Sequence, residues 1–221
     1  MRASDVFTLG ILLGYAMRLG IYGGSFDPLH CGHLLLAECA RVEMNLDRVE
    51  FVPLGVPPHR KNVKTDGELR YQMVLRAIKP YPEFTVSRAE IDSPEVSYTA
   101  DTLARYRQEY PDDELFFIVS SETFNDMPNW RRPGEICGLA SLIIAQRAGY
   151  PPPNFDALLP FTTADRVDEF RRNVIETPLF EASSTMVRQR IAEGRGARFL
   201  VPDPVLDFIY EKGLYSASNK R

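Results

Sequence analysis

The chain has 221 residues, is 44% hydrophobic and 25% charged, and carries a net charge of −4. That length suits one large α/β domain, and the composition is that of a folded globular chain. The acidic balance excludes broad, sequence-independent nucleic-acid binding, which needs a basic face, and no apolar run approaches the roughly 20 residues of a helical membrane span.

Cysteines stand at 31, 39 and 137, without a C-x-x-C pair or a dense framework, so a reducing cytoplasm is the expected setting. Val6 to Ala16 is mildly apolar after Arg2, but Asp5 and the lack of a small-x-small cleavage site argue against a signal peptide. Met17-Arg-Leu-Gly-Ile-Tyr22 would begin a protein directly at its first strand. Residues 1–16 therefore read as an extension without a role in a site, 17–215 as the domain, and 216–221 as a tail.

Arg18 to Tyr22 predicts a strand, and His33 to Met44 predicts a helix from the spacing of Leu34, Leu35, Ala37, Ala40 and Val42. Between them lies Gly23-Gly24-Ser25-Phe26-Asp27-Pro28-Leu29-His30-Cys31-Gly32-His33. A strand-to-helix turn is where α/β folds bind phosphates, because open helix amides and the helix dipole point at the ligand. His30 and His33 face one way there, with glycines leaving room for close approach. A P-loop is excluded, since no Gly-Lys-Ser/Thr follows, and His30, Cys31 and His33 lack the second ligand pair of structural zinc.

Asp47 to Pro53 alternates like a second strand, followed by Pro57-Pro58-His59-Arg60-Lys61, a loop on the strand's carboxyl side that is either a solvated basic turn or part of a site. Glu68 to Ile78 is an amphipathic helix and Phe84 to Ser87 a strand. Ser97-Tyr98-Thr99 offers a hydroxyl cap to a helix over Ala100 to Tyr110. Leu115 to Val119 is the continuous apolar run of a strand buried on both faces, leading into Ser120-Ser121-Glu122 and Pro128-Asn129-Trp130-Arg131. Trp130 is either a core residue or a stacking surface.

Ser141 to Ala145 is another buried strand, Arg166 to Val174 a short helix, and Ile175 to Phe180 a last strand. Ser183-Ser184-Thr185 opens a helix with Arg188 about one turn inside, a plain cap or an anion cradle of amides, hydroxyls and a guanidinium. Pro204 to Gly213 closes the chain as a helix. Four or five strands alternate with helices, which predicts a single α/β domain built on a doubly wound parallel sheet.

The first motif resembles the G-x-F-x-P-x-H-x-G-H signature of the HxGH nucleotidyltransferase superfamily, which has a Rossmann-like fold. With P-P-H-R-K, S-Y-T-A-D-T, P-x-W and S-S-T-x-x-R added, Met17 to Tyr215 is similar to the bacterial nicotinate-nucleotide adenylyltransferase family. Pantetheine-phosphate and glycerol-phosphate nucleotidyltransferases share the first motif but would not explain P-x-W; a nucleotide-binding regulator that has lost catalysis is the alternative from another class. The resemblance implies transfer of AMP from ATP to nicotinate mononucleotide, with Mg²⁺ accompanying ATP and no metal held by side chains. It implies that His30, His33 and Arg188 act on the reacting phosphates. Gly23, Gly24, Ser25 and Phe26 would floor the nucleotide site, and His59, Arg60, Lys61, Ser183, Ser184 and Thr185 would hold phosphate. Tyr98, Thr99, Trp130 and Arg131 would bind the nicotinate nucleotide. The chain departs from the family at Ser120-Ser121-Glu122, where Gly-x-Asp is usual; Glu122 is expected still to reach a ribose hydroxyl from a slightly retracted loop.

Overall fold

The computed structural model describes residues 16–57, 63–146 and 149–216. Residues 1–15 of the extension, the tail beyond Ser216, and His59, Arg60 and Lys61 lie outside the described residues. Six parallel strands form one sheet: β1 (Arg18–Gly24), β2 (Arg48–Pro53), β3 (Phe84–Val86), β4 (Glu114–Ser120), β5 (Ser141–Gln146) and β6 (Val174–Glu176). Their order is β3-β2-β1-β4-β5-β6. Chain direction reverses its march across the sheet between β1 and β4, which opens a crevice at their carboxyl ends.

The strands alternate their side chains between two layers. Leu19, Ile21, Leu115, Phe117, Val119, Leu142 and Ile144 enter one core, while Tyr22, Phe116, Ile118, Ile143 and Ala145 enter the other. Both faces are covered, which is why β4 and β5 read as unbroken apolar runs. One face carries α1 (Cys31–Glu43), α2 (Gly67–Ile78), α7 (Ser184–Ala192) and α8 (Asp203–Glu211). The other carries α3 (Thr99–Glu109), α5 (Pro133–Leu139) and α6 (Ala164–Arg172).

Three local expectations change. The sheet has six strands rather than four or five. The last strand ends at Glu176 instead of running to Phe180; Pro178 has no amide to donate, and 177–183 continues as an irregular segment. Beyond β4 the chain does not stay a loop: Ser120 caps a short helix, α4 (Ser121–Asp126), its Oγ accepting from the Thr123 amide at 3.2 Å.

Candidate active site

The first motif forms the turn between β1 and α1. Phe26 has φ 46° and a fully buried ring, packed edge-on against Tyr22, Phe51 and His33 at centroid distances of 5.5, 5.6 and 5.1 Å. This aromatic plug fixes the turn beneath the histidines. His30 is the N-cap of α1 and His33 its third residue; the His30 amide donates to His33 Nδ1 at 3.1 Å, and the two rings stack at 3.7 Å. With Nδ1 accepting, the neutral His33 ring carries its proton on Nε2, which makes Nε2 a donor. A Cβ at Gly32 would lie 3.0 Å from His30 Nδ1 and 3.1 Å from Phe180, so the residue between the histidines must be small. The helix start is less open than the sequence suggests, because the Cys31 amide already donates to the Leu200 carbonyl at 2.8 Å.

Helix α7 docks its amino end on this turn. Ser183 caps it, accepting from the Met186 amide at 3.1 Å, and Ser184 Oγ donates to the Pro28 carbonyl at 2.9 Å. Arg188 reaches back as expected: Nη1 donates to the Asp27 carbonyl at 2.5 Å and Nη2 to Thr185 Oγ1 at 3.2 Å. Ser183 and Ser184 line the cavity, whereas Thr185 and Arg188 are not among its lining residues.

The opposite end is built by α3 and the Trp130 segment. Tyr98 is the N-cap of α3 but its side chain makes no capping bond, so the expected hydroxyl cap is absent. Its carbonyl instead accepts from the Asp101 and Thr102 amides at 3.0 and 3.1 Å. Thr99, the first helical residue, lines the cavity with Tyr98. Trp130 is half-buried; its indole N–H donates to Asp126 Oδ2 at 3.2 Å and its ring meets Phe117 edge-on at 6.4 Å. Trp130 also lines the cavity. The Arg131 guanidinium lies 4.5 Å from the Tyr98 ring centre, a cation–π contact, and pairs with no carboxylate among the described residues. Arg132 next to it is committed to Asp101 and Glu135.

Together these residues enclose a cavity of about 1040 Å³ in the crevice between β1 and β4. Gly23, Gly24, Ser25, Phe26, His30 and His33 wall one side. Tyr98, Thr99, Ser120, Trp130 and Arg131 wall the other. Glu122 is exposed on α4 and does not line the cavity; Ser120, Thr123 and Asp126 of the same stretch do. The capping geometry explains this placement, since Ser120 starts a helix and the second residue of that helix turns outward.

Two residues escaped sequence reasoning. Glu90 lines the cavity and accepts from Thr102 Oγ1 at 2.6 Å and the Gly55 amide at 3.3 Å, tying β2's end to α3. Burial raises its carboxyl pKa against those hydrogen bonds. Gly55 passes so close that a Cβ would lie 2.0 Å from the Glu90 carbonyl. Arg70 is 1% exposed and donates to the Ser25, Leu54 and Thr65 carbonyls at 2.8, 2.5 and 3.0 Å. It stitches the ends of β1 and β2 together; burial lowers its pKa and the neighbouring Asp27 charge opposes that. A lone arginine among helical apolar positions was the available signal.

A parallel sheet with phosphate-type turns meeting at its switch point defines a nucleotide-handling enzyme, and residues 21–190 match the cytidylyltransferase-like family model. A Thermus thermophilus protein named a probable nicotinate-nucleotide adenylyltransferase is 42% identical over 199 residues, covering 90% of this chain and 100% of that one. A Moorella thermoacetica protein of the same name is 40% identical over 200 residues, covering 90% and 91%. At this identity and coverage the chain belongs to the nicotinate-nucleotide adenylyltransferase family. The fold is shared with Plasmodium falciparum nicotinic acid mononucleotide adenylyltransferase complexed with NaAD, at a TM-score of 0.69 and 18% identity, covering 89% of this chain and 96% of that one.

Proposed function

We propose that the chain transfers AMP from ATP to nicotinate mononucleotide, releasing pyrophosphate and forming deamido-NAD. The observation that carries this reading is the single cavity that holds the histidine turn at one end and the Tyr98–Trp130–Arg131 group at the other. A phosphate oxygen of the mononucleotide attacks the α-phosphorus of ATP, a new P–O bond forms, and the bond to the β-phosphate breaks. The acceptor is an ionised phosphate, so no general base is required; two polyanions must be aligned and their growing charge stabilised.

In this reading His33 Nε2–H and the His30 ring meet the α-phosphate oxygens. Ser183, Ser184, Thr185 and Arg188 hold the departing β- and γ-phosphates, with Arg188 using donors beyond those committed to Asp27 and Thr185. The basic loop His59-Arg60-Lys61 is assigned to phosphate on its chemistry alone. Gly23, Gly24, Ser25 and Phe26 form the floor. Trp130 stacks on the pyridine ring, and the first amides of α3 with the Arg131 cation meet its carboxylate. The ribose contact expected of Glu122 passes to Ser120 and Thr123, which line the cavity. Mg²⁺ enters on the ATP phosphates as part of the substrate; no cluster of three His, Cys, Asp or Glu among the described residues is placed to hold a metal. No helix among them is long and apolar enough to cross a membrane. The three cysteines are free thiols, consistent with work in a reducing cytoplasm.

The test is pyrophosphate release from Mg–ATP with nicotinate mononucleotide, nicotinamide mononucleotide and phosphopantetheine as separate acceptors. Turnover with the first and little with the others is expected. Preference for phosphopantetheine, or no turnover with any acceptor, would overturn the assignment.

A further inference from the structure

We infer that Tyr215 is a positioning residue for the phosphate end of the site, acting through Asp27. Asp27 stands inside the histidine motif yet is only 1% exposed. Its carboxylate is held on both oxygens: the Tyr215 hydroxyl donates to Oδ1 at 2.6 Å and the Lys64 amide to Oδ2 at 2.6 Å. Its carbonyl accepts from Arg188 Nη1 at 2.5 Å. One residue thus joins the turn that presents His30, the guanidinium of α7, and a tyrosine 188 positions away.

Tyr215 is placed for this contact and not merely for packing. It sits at φ 62° in the turn after α8, where the Gly213 and Leu214 amides close onto the Tyr210 and Ile209 carbonyls. Its oxygen also accepts from Thr65 Oγ1 at 3.1 Å, so the hydroxyl has both a donor and an acceptor partner. Burial, and the negative charge of Asp27, push the Tyr215 pKa up, which keeps the phenol a donor. Arg70 supplies the compensating charge from the buried side and binds the carbonyls of Ser25 and Thr65 flanking the same junction. A buried carboxylate that loses a partner is left with an unmet desolvation cost, so it moves or protonates. Movement at Asp27 displaces His30, three residues on, relative to Arg188. Those are the groups assigned to opposite ends of the triphosphate, so the effect falls on ATP and on the chemical step, and spares the nicotinate end.

This inference rests on the proposed reaction, and the experiment separates the two. Wild-type turnover with Mg–ATP and nicotinate mononucleotide tests the reaction; Tyr215→Phe in the full chain tests the latch. At a temperature well below melting, Tyr215→Phe is expected to lower kcat about tenfold and raise KM for ATP severalfold, a sub-ångström misplacement, with KM for the mononucleotide within about twofold. ATP binding by calorimetry should weaken in parallel, and this readout stands even if the acceptor is a different one. Asp27→Asn, which leaves one acceptor oxygen for two donors, should do the same, and the double variant should fall short of the sum of the two effects, because both weaken the same junction. Unchanged KM for ATP, or a kcat loss that merely follows the folded fraction, would overturn the inference. Should Tyr215→Phe not fold, Thr65→Val leaves the ring in place: a rise of about two- to threefold in KM for ATP is expected, and no change overturns it.

Discussion

The two ends of the cavity are built on different principles. The phosphate end is cross-tied: Asp27, Arg70, Arg188, Ser184 and Tyr215 join β1, β2, α7 and the turn after α8 through partly buried hydrogen bonds, all but that of Ser184 charge-assisted. The acceptor end leans on the half-buried Tyr98 and Trp130 rings, one cation–π contact and an indole hydrogen bond to Asp126, with Glu90 and the Arg132–Asp101 pair holding α3 beside them. Charge develops at the first end, where preorganised donors give their largest effect. The second end only has to recognise an aromatic acid and let it enter and leave, which local contacts do. Substitutions at the phosphate end should therefore cost catalysis and be felt across long sequence separations, whereas those at the acceptor end should change selectivity and stay local.

The largest effect is expected from His33→Ala. Removing a preorganised donor should cost about 10²–10³ in turnover, roughly 3–4 kcal/mol, with the fold retained. Pyrophosphate release measured beside far-UV circular dichroism checks it, and a folded variant with near-normal turnover would erase the contrast between the two ends. Arg131→Met comes next: it should reduce the preference for nicotinate over nicotinamide mononucleotide by about tenfold, one charge-assisted hydrogen bond discounted for exposure. Specificity constants for both acceptors decide this, and kcat with the acid near saturation should change little.

Glu90 sharpens the comparison from the stability side. Its carboxyl pKa is raised above the ordinary 4.5 by burial. Above pH 4.5 the folded chain therefore keeps a proton that the unfolded chain releases, and stability falls as pH rises toward the folded value. Glu90→Gln removes that dependence, so melting curves of the two proteins between pH 4.5 and 7 should differ in slope, wild type losing more. Parallel curves would mean that the carboxyl does not titrate in this window. The smallest effect belongs to removal of residues 1–16. Met17 already carries the first sheet-entry contacts, its nitrogen donating to Asp113 Oδ1 at 2.8 Å and its carbonyl accepting from the Glu114 amide at 2.9 Å. Activity should stay unchanged and Tm should shift by less than about 3 °C, under roughly 1 kcal/mol at this chain length.

Sequence reading succeeded where chemistry is local and periodic. The apolar runs of β4 and β5, the histidine turn, and the Ser183 cap with Arg188 folded back were legible because each depends on neighbours within a few residues. Residues whose role comes from distant partners were not. Arg70 stands out only as a charge on the apolar face of an amphipathic helix, and its purpose shows once the carbonyls of Ser25 and Leu54 are seen around it. Glu90 shows its purpose only once Gly55 and Thr102 meet it. Glu122 was misplaced for a related reason: a six-residue helix is too short to announce itself by periodicity, and its first turn decides which side chains of Ser120 to Thr123 face the cavity.

The tie between Asp27 and Tyr215 bears on how the protein comes off the ribosome. The histidine turn is among the first parts translated, and its sheet partners β2 and β4 emerge before α7 and α8 exist. A chain that ends before α7 lacks Arg188, and one that ends before residue 215 lacks the hydroxyl that closes over the carboxylate. Chain order thus acts as a completeness check: a fragment ending before α7 should have no competent phosphate end, and one ending between α7 and residue 215 should turn over more slowly than the full chain.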